Sequence, residues 1–227
     1  QLDALRFRSL PYLVNLDLSD NYHLSGAIPP SIVSLSMLSS LNFSGDQLVG
    51  HIPASICNLG RLVEMDLSSN NLTGQIPAAL GNLSRLAFLY LRGNRLSGSI
   101  PWHLGQLQNM REMDLSLNDI SGHVPSALAN LTNLNYLDLS DNRLSGPIPK
   151  ELGHIQTLQV LHLEKNNLSG TIPPSLGNLT VLTYLTAYRN QYTGTIPAEF
   201  GMLSSLISLD LSDNHLTGPV PYSVAGN

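Results

Sequence analysis

Five aspartates recur at equivalent places, each between two apolar residues and ahead of a serine: Asp17 (Leu16-Asp17-Leu18-Ser19), Asp66, Asp114, Asp138 and Asp210. A row of carboxylates is the raw material of a divalent-cation site or of general acid-base catalysis, both of which need acidic groups converging on one point. Repetition at one slot argues for a shared local task instead, a solvated carboxylate supporting a turn, and catalysis by the row is rejected. The seven histidines, His23, His51, His103, His123, His154, His162 and His215, fall on different slots without metal-ligand spacing, so no zinc site is expected. Cys57 is alone and can close no disulfide within the chain; it occupies a slot filled elsewhere by Gly81 and Gly177, which suits a small buried residue. No catalytic residue, metal or cofactor is expected.

A second chemistry, recognition, is offered by Phe88, Tyr90, Arg92, Glu112, Tyr136, His162, Glu164, Lys165, Tyr184, Tyr188 and Arg189. Aromatic rings with guanidinium and ammonium groups nearby are the composition of an interface hot spot, provided that one surface carries them. A formal net charge of -5 and the absence of a Lys/Arg run exclude nucleic acid and anionic membrane as the main partner. No apolar stretch reaches the length of a membrane span, and the first residues show no signal-peptide pattern, so membrane attachment is expected only through segments outside this chain.

The elements that must position these groups are repeats. Pro29, Pro53, Pro77, Pro101, Pro125, Pro149, Pro173, Pro197 and Pro221 mark nine copies at a fixed interval of 24 residues, each with a glycine three positions earlier, from Gly26 to Gly218. A ladder runs in step through Asn21, Asp46, Asn70, Asn94, Asn118, Asn142, Asn166, Asn190 and Asn214. The first step is longer because Asn21-Tyr22-His23-Leu24 carries one residue more than Asn70-Asn71-Leu72. In Leu134-x-x-Leu137-x-Leu139-x-x-Asn142 the alternation predicts a short strand with one face buried. One such strand buries too little, so the copies must stack into a parallel sheet with a shared apolar spine. The ladder asparagine is placed to satisfy backbone groups of the turn that leaves the strand. Proline and glycine in the remainder predict short extended and 3₁₀ segments rather than a long helix.

The motif Leu-x-x-Leu-x-Leu-x-x-Asn-x-Leu-Ser/Thr-Gly-x-Ile-Pro, in phase over residues 10–221, resembles the plant-specific class of leucine-rich repeat found in receptor kinases, receptor-like proteins and polygalacturonase inhibitors. The resemblance implies an α/β leucine-rich repeat solenoid: a right-handed superhelical arc with a parallel sheet on its concave face, and short second strands at Gly-x-Ile-Pro with 3₁₀ segments on the convex side. It implies secretion to the apoplast, on the extracellular face of the plasma membrane. Leu2 to Phe7 look like the end of an amino-terminal cap, so residues 1–9 are read as a cap remnant. Residues 10–227 are read as about nine repeats without a carboxy-terminal cap. The concave strands lack the Arg-x-Arg pair with which some receptors of this class hold a peptide carboxylate.

The resemblance points to a ligand-recognition domain of a plant receptor-like kinase, taking a secreted peptide or protein ligand and a shorter leucine-rich repeat co-receptor. The alternative is a secreted inhibitor of microbial wall-degrading enzymes. Neither makes the chain itself an enzyme. Sequons at Asn42, Asn71, Asn82, Asn130, Asn167 and Asn178 agree with the secretory route. The exposed x positions of the strands, in copies four to eight, are where a ligand is expected. Trp102, just after Pro101, is expected to be exposed on the lateral or convex side.

Overall fold

The computed structural model describes residue 2 and residues 5–225; residues 1, 3, 4, 226 and 227, on which the cap and last-copy readings partly fall, lie outside the described residues. Nine three-residue strands line up in chain order as one parallel sheet: Asn15–Asp17, Ser40–Asn42, Glu64–Asp66, Phe88–Tyr90, Glu112–Asp114, Tyr136–Asp138, Val160–His162, Tyr184–Thr186 and Ser208–Asp210. Pairing is parallel because the chain returns to the same place after every coil. Leu137 therefore pairs with Met113 on one side and Leu161 on the other, while the extra residue of the first copy sets Leu16 opposite Leu41.

A second parallel sheet, also nine-stranded, runs alongside. Its strands, such as Asn71–Gln75 and Arg95–Ser99, start directly after the ladder residue and stop before Ile-Pro. The expected position at Gly-x-Ile-Pro is therefore shifted toward the amino terminus. The reason is local: Pro77 has no amide to give a strand, and Ile76 is needed in the core. Each of these prolines instead caps a five-residue 3₁₀ segment, such as Ala78–Asn82, Trp102–Gln106 or Ser126–Asn130, its own φ near the ring-imposed value. The one α-helical segment among the described residues is Tyr222–Ala225.

The core is a spine. Leu41, Met65, Leu89, Met113, Leu137, Leu161 and Leu185 form one buried row, Phe43, Leu67, Leu91, Leu115, Leu139, Leu163 and Ala187 a second, and all belong to one continuous cluster that Leu2 and Phe7 join at the amino end. Cys57 is buried and free, and burial pushes its thiol up to about 11, which leaves it inert. One copy departs from the pattern in a compensated way. Tyr192 fills the position that holds Leu168 and Leu216 in the adjacent coils and is fully buried; the same copy has Ala187 where its neighbours have leucine, which frees the volume the ring needs. Its hydroxyl is buried without a hydrogen-bond partner.

The asparagine ladder ties each coil to the one before it. Asn70 accepts from the Leu48 amide at 2.9 Å and donates to the Phe43 carbonyl at 2.7 Å, both in the preceding copy, while also donating to its own Leu67 carbonyl at 3.2 Å. Asn94, Asn118, Asn142, Asn166 and Asn190 repeat the pattern. Just ahead of the ladder the chain passes through the left-handed region in every copy, at Asp20, Gly45, Ser69, Gly93, Leu117, Asp141, Lys165, Arg189 and Asp213. Gly45 and Gly93 take this conformation without strain; a leucine there does not.

Asp46 is the exception in the ladder. Its Oδ1 accepts from the Asn21 amide at 2.8 Å, but Oδ2 is buried with no partner, because a carboxylate has no hydrogen to offer the carbonyl that an amide would reach. Burial raises its pKa, and the Asp20 and Asp17 charges add to the rise against the lowering effect of the Asn21 bond. A carboxylate whose folded pKa exceeds its unfolded one weakens the fold as pH rises through the carboxylate range, and the cost is full above the folded pKa. Asp46→Asn is therefore expected to stabilise the chain by about 1 to 2 kcal/mol at neutral pH. The gain should shrink below pH 4, measured by denaturant titration at the two pH values; a gain independent of pH would contradict the ionised-carboxylate account.

Candidate functional site

The register of the first sheet sorts its outward side chains into rows. The first row runs Glu64, Phe88, Glu112, Tyr136, Val160, Tyr184, and the second runs Asp66, Tyr90, Asp114, Asp138, His162, Thr186. Just past the strand ends lie Arg92, Ser116, Ser140, Glu164 and Tyr188, then the left-handed row with Leu117, Asp141, Lys165 and Arg189. Neighbouring strands are about 4.8 Å apart, so copies four to eight present a patch roughly 20 Å long. All eleven recognition residues read from the sequence fall on this patch, and none is buried. Tyr184, Arg92 and Arg189 are exposed; Phe88, Tyr90, Glu112, Tyr136, His162, Glu164, Lys165 and Tyr188 are half-buried against their neighbours.

The side chains are linked both between strands and within them. The Tyr90 hydroxyl donates to Glu112 Oε2 at 2.6 Å, and the Tyr136 hydroxyl reaches Asp138 Oδ2 at 3.3 Å. Both phenols are held well above their ordinary pKa, first by burial and then by these carboxylates, so they stay neutral donors. The His162 ring lies edge-on to Tyr136 at 6.0 Å between centroids. His162 Nδ1 lies 2.5 Å from Thr186 Oγ1, which in turn donates to Glu164 Oε2. With the hydroxyl proton given to Glu164, Thr186 Oγ1 accepts from Nδ1–H, which orients the ring.

The cations differ in how they are held. Lys165 Nζ is 3.0 Å from Asp141 Oδ2, and Arg189 Nε is 3.3 Å from Asp213 Oδ2, so each is paired with a carboxylate of the adjacent copy. The Asp141 hydrogen bond and charge raise the Lys165 pKa. Arg92 has no ion-pair partner among the described residues, and its charge acts on Asp114 and Tyr136. Of the three cations of the patch it is the one left unpaired for an incoming anion.

The aspartate row does support turns: Asp17, Asp66, Asp114 and Asp210 each accept from the amide and the hydroxyl of the serine two residues on, and Asp138 accepts from the Ser140 amide. The expectation that the whole row is solvated needs correction. Asp114 and Asp138 are buried, and burial raises the Asp114 pKa against the Ser116 hydrogen bonds. These two stand in the part of the sheet that carries Tyr90 and Tyr136, whose rings take the place of water there.

Two members of the patch were not singled out from the sequence. Thr186 orients His162, a role set by a residue 24 positions away that no local motif reveals. Leu117 is 40% exposed in the left-handed row, an apolar side chain on strained backbone between Gly93 and Asp141 in the same slot of the adjacent copies. The signal was available, since the slot before the ladder residue is otherwise glycine, polar or charged.

The sequons divide by face. Asn42 lies on the first sheet, in the aspartate slot, and its Oδ1 accepts from the amide and hydroxyl of Ser44 at 3.0 and 2.8 Å. Asn71 and Asn167 open strands of the second sheet, and Asn82, Asn130 and Asn178 end 3₁₀ segments in exposed positions.

Residues 118–218 match the model of a leucine-rich repeat region, and residues 61–83 and 85–107 match the leucine rich repeat model. No curated protein matches the chain. Among solved structures the chain is similar to a TDR receptor, with 37% identity and a TM-score of 0.94 over 97% of this chain and 38% of that one. It is similar to the plant peptide hormone receptor RGFR1, solved in complex with RGF2, at 36% identity and a TM-score of 0.91 over 92% of this chain and 34% of that one. The Arabidopsis receptor kinase HAESA, in complex with the peptide hormone IDA and the co-receptor SERK1, shares 41% identity with a TM-score of 0.89 over 92% of this chain and 35% of that one. The chain thus spans between 34% and 38% of the length of each. With the repeat motif, the two stacked parallel sheets and these matches in agreement, the chain belongs to the plant leucine-rich repeat family.

Proposed function

We infer that this chain is a non-catalytic, extracellular ligand-recognition segment of a plant receptor kinase, and that it takes a secreted peptide or protein across copies four to eight. The observation that carries this reading is the patch itself. Eleven aromatic and charged side chains share one face of the sheet, whereas toward its two ends the same row falls to short polar residues, Ser40 in copy two and Ser208 in copy nine. A length of roughly 20 Å suits about six residues of extended peptide.

The patch offers a ligand the phenol oxygens of Tyr90 and Tyr136 as acceptors, their hydrogens being held by Glu112 and Asp138, together with the His162 ring and an unpaired cation at Arg92. A ligand of mixed polarity with at least one carboxylate would be matched by that set. The neighbours solved with peptide hormones support a peptide, and the one solved with SERK1 supports a shorter co-receptor that joins once the ligand is in place. Kinase and membrane segments would then belong to other parts of the protein.

The test is capture from plant secretions on the immobilised ectodomain, run in parallel with the double variant Tyr188→Ala, Arg189→Ala. Both side chains reach solvent, so the variant should fold normally and bind the retained ligand more weakly by about 1 to 3 kcal/mol, roughly 5- to 150-fold in Kd. Equal affinity for both proteins would move the site off this patch. Retention of a microbial wall-degrading enzyme, with loss of its activity, would replace the receptor reading by that of an inhibitor.

A further inference from the structure

The chain has a single tryptophan, Trp102, and it lies away from the patch described above. It opens the 3₁₀ segment Trp102–Gln106 and is 57% exposed. One face of the indole is occupied: the His103 ring lies against it at 3.9 Å between centroids and 23° between planes. More than half of the residue's surface is left to solvent. Ala78 and Ser126 take the same slot in the adjacent coils, so the ring stands above small neighbours. Beside it is a groove of about 520 Å³ walled by Ile76, Pro77, Ile100 and Pro125, with Gln75, Ser99 and His123 as polar lining.

An apolar wall, an indole ring largely open to solvent and polar groups without a carboxylate or a permanent cation form a surface suited to a sugar. The C–H face of a pyranose packs on an aromatic ring, and amide, hydroxyl and imidazole groups meet its hydroxyls. The preceding coil holds a place for one. Asn82-Leu83-Ser84 is a sequon, and Asn82 is exposed at the end of its 3₁₀ segment. Gly81, the residue before it, packs so closely on the next coil that a Cβ there would lie 2.3 Å from the His103 carbonyl oxygen and 3.0 Å from the His103 Cβ. Asn82 is therefore one residue from direct contact with the stacking partner of Trp102.

We propose that Trp102 is the docking platform for the N-linked glycan of Asn82, whose first sugar rings lie across the exposed indole and along the groove. The inference rests on the secreted reading above, because such glycans are added only on that route. Docking pins the glycan to the 3₁₀ layer and keeps it clear of the sheet face on which a ligand would lie.

The test uses the whole chain secreted from a eukaryotic host. Peptide mass spectrometry reports occupancy of each sequon, and acrylamide quenching of fluorescence reports access to the one indole. The expected result is that Trp102 is quenched about twofold less readily in the glycosylated chain than in Asn82→Gln, and than in the same protein after its glycans are removed enzymatically. Equal quenching with Asn82 occupied overturns the platform, as does protection that survives Asn82→Gln and disappears in Asn130→Gln. A bare Asn82 with other sequons occupied overturns this proposal alone. Six bare sequons in a secreted, folded chain would count against the secreted reading itself.

Discussion

Replacing Leu139 by alanine is expected to destabilise the chain by about 2 to 5 kcal/mol. Leu139 has no exposed surface and sits in the second buried row, between Leu115 and Leu163 of the adjacent coils. Truncation removes the transfer free energy of its lost methyl and methylene groups and leaves a cavity that the neighbours cannot fill, since each is held by its own coil's strand and ladder residue. At a size of this order, about 2 to 4 °C of Tm is lost per kcal/mol, so thermal melting followed by circular dichroism resolves the change. An unaltered melting curve would mean that the inward and outward faces of the strand have been assigned the wrong way round.

Asn166→Ala is expected to cost about 2 to 4 kcal/mol. The Asn166 side chain is buried and accepts from the Leu144 amide at 2.9 Å, while donating to the Leu139, Leu163 and Glu164 carbonyls at 2.9, 3.2 and 3.2 Å. Two of these carbonyls have a second donor, Leu139 from Asn142 and Leu163 from Asn190, which limits the loss. The Leu144 amide has no such alternative and is left buried without an acceptor, the more costly part. Asn166→Asp separates the two contributions. It keeps the acceptor for Leu144 but removes both amide hydrogens, recreating the situation of Asp46. Its loss should be larger at neutral pH than below pH 4, the mirror image of the gain expected from Asp46→Asn. Equal losses for Ala and Asp at both pH values would show that the donors, not the acceptor, hold the coils together.

Much of this molecule was legible in its sequence because the repeat copies one solution nine times. The 24-residue spacing of proline and asparagine implied parallel strands in register, and the alternation around Leu137 and Leu139 implied which side chains face inward. What the repeat could not convey are the features made by departures from it. Tyr192 enters the leucine position in the copy that carries Ala187 where its neighbours carry leucine, a matching of sizes between slots that no consensus describes. The burial of Asp114 and Asp138 depends on the size of the aromatic side chains on neighbouring strands, so identical local text yields a solvated Asp17 and a desolvated Asp114. Lys165 and Arg189 are ion-paired with carboxylates of adjacent copies, a pairing that exists only once the copies stack. The composition of the patch was visible; the internal wiring that decides which donors and acceptors remain for a ligand was not.

The ladder bonds have a direction. Each asparagine completes the turn of the coil before it, as Asn70 does for Leu48 and Asn94 for Leu72, so a new unit can be spliced in anywhere provided it arrives whole. An array built on this rule can lengthen or shorten by gene duplication or deletion in units of one coil, without redesigning its interior. Its descendants are then free to diverge on the outside, where a change of partner leaves the backbone's internal bonding undisturbed.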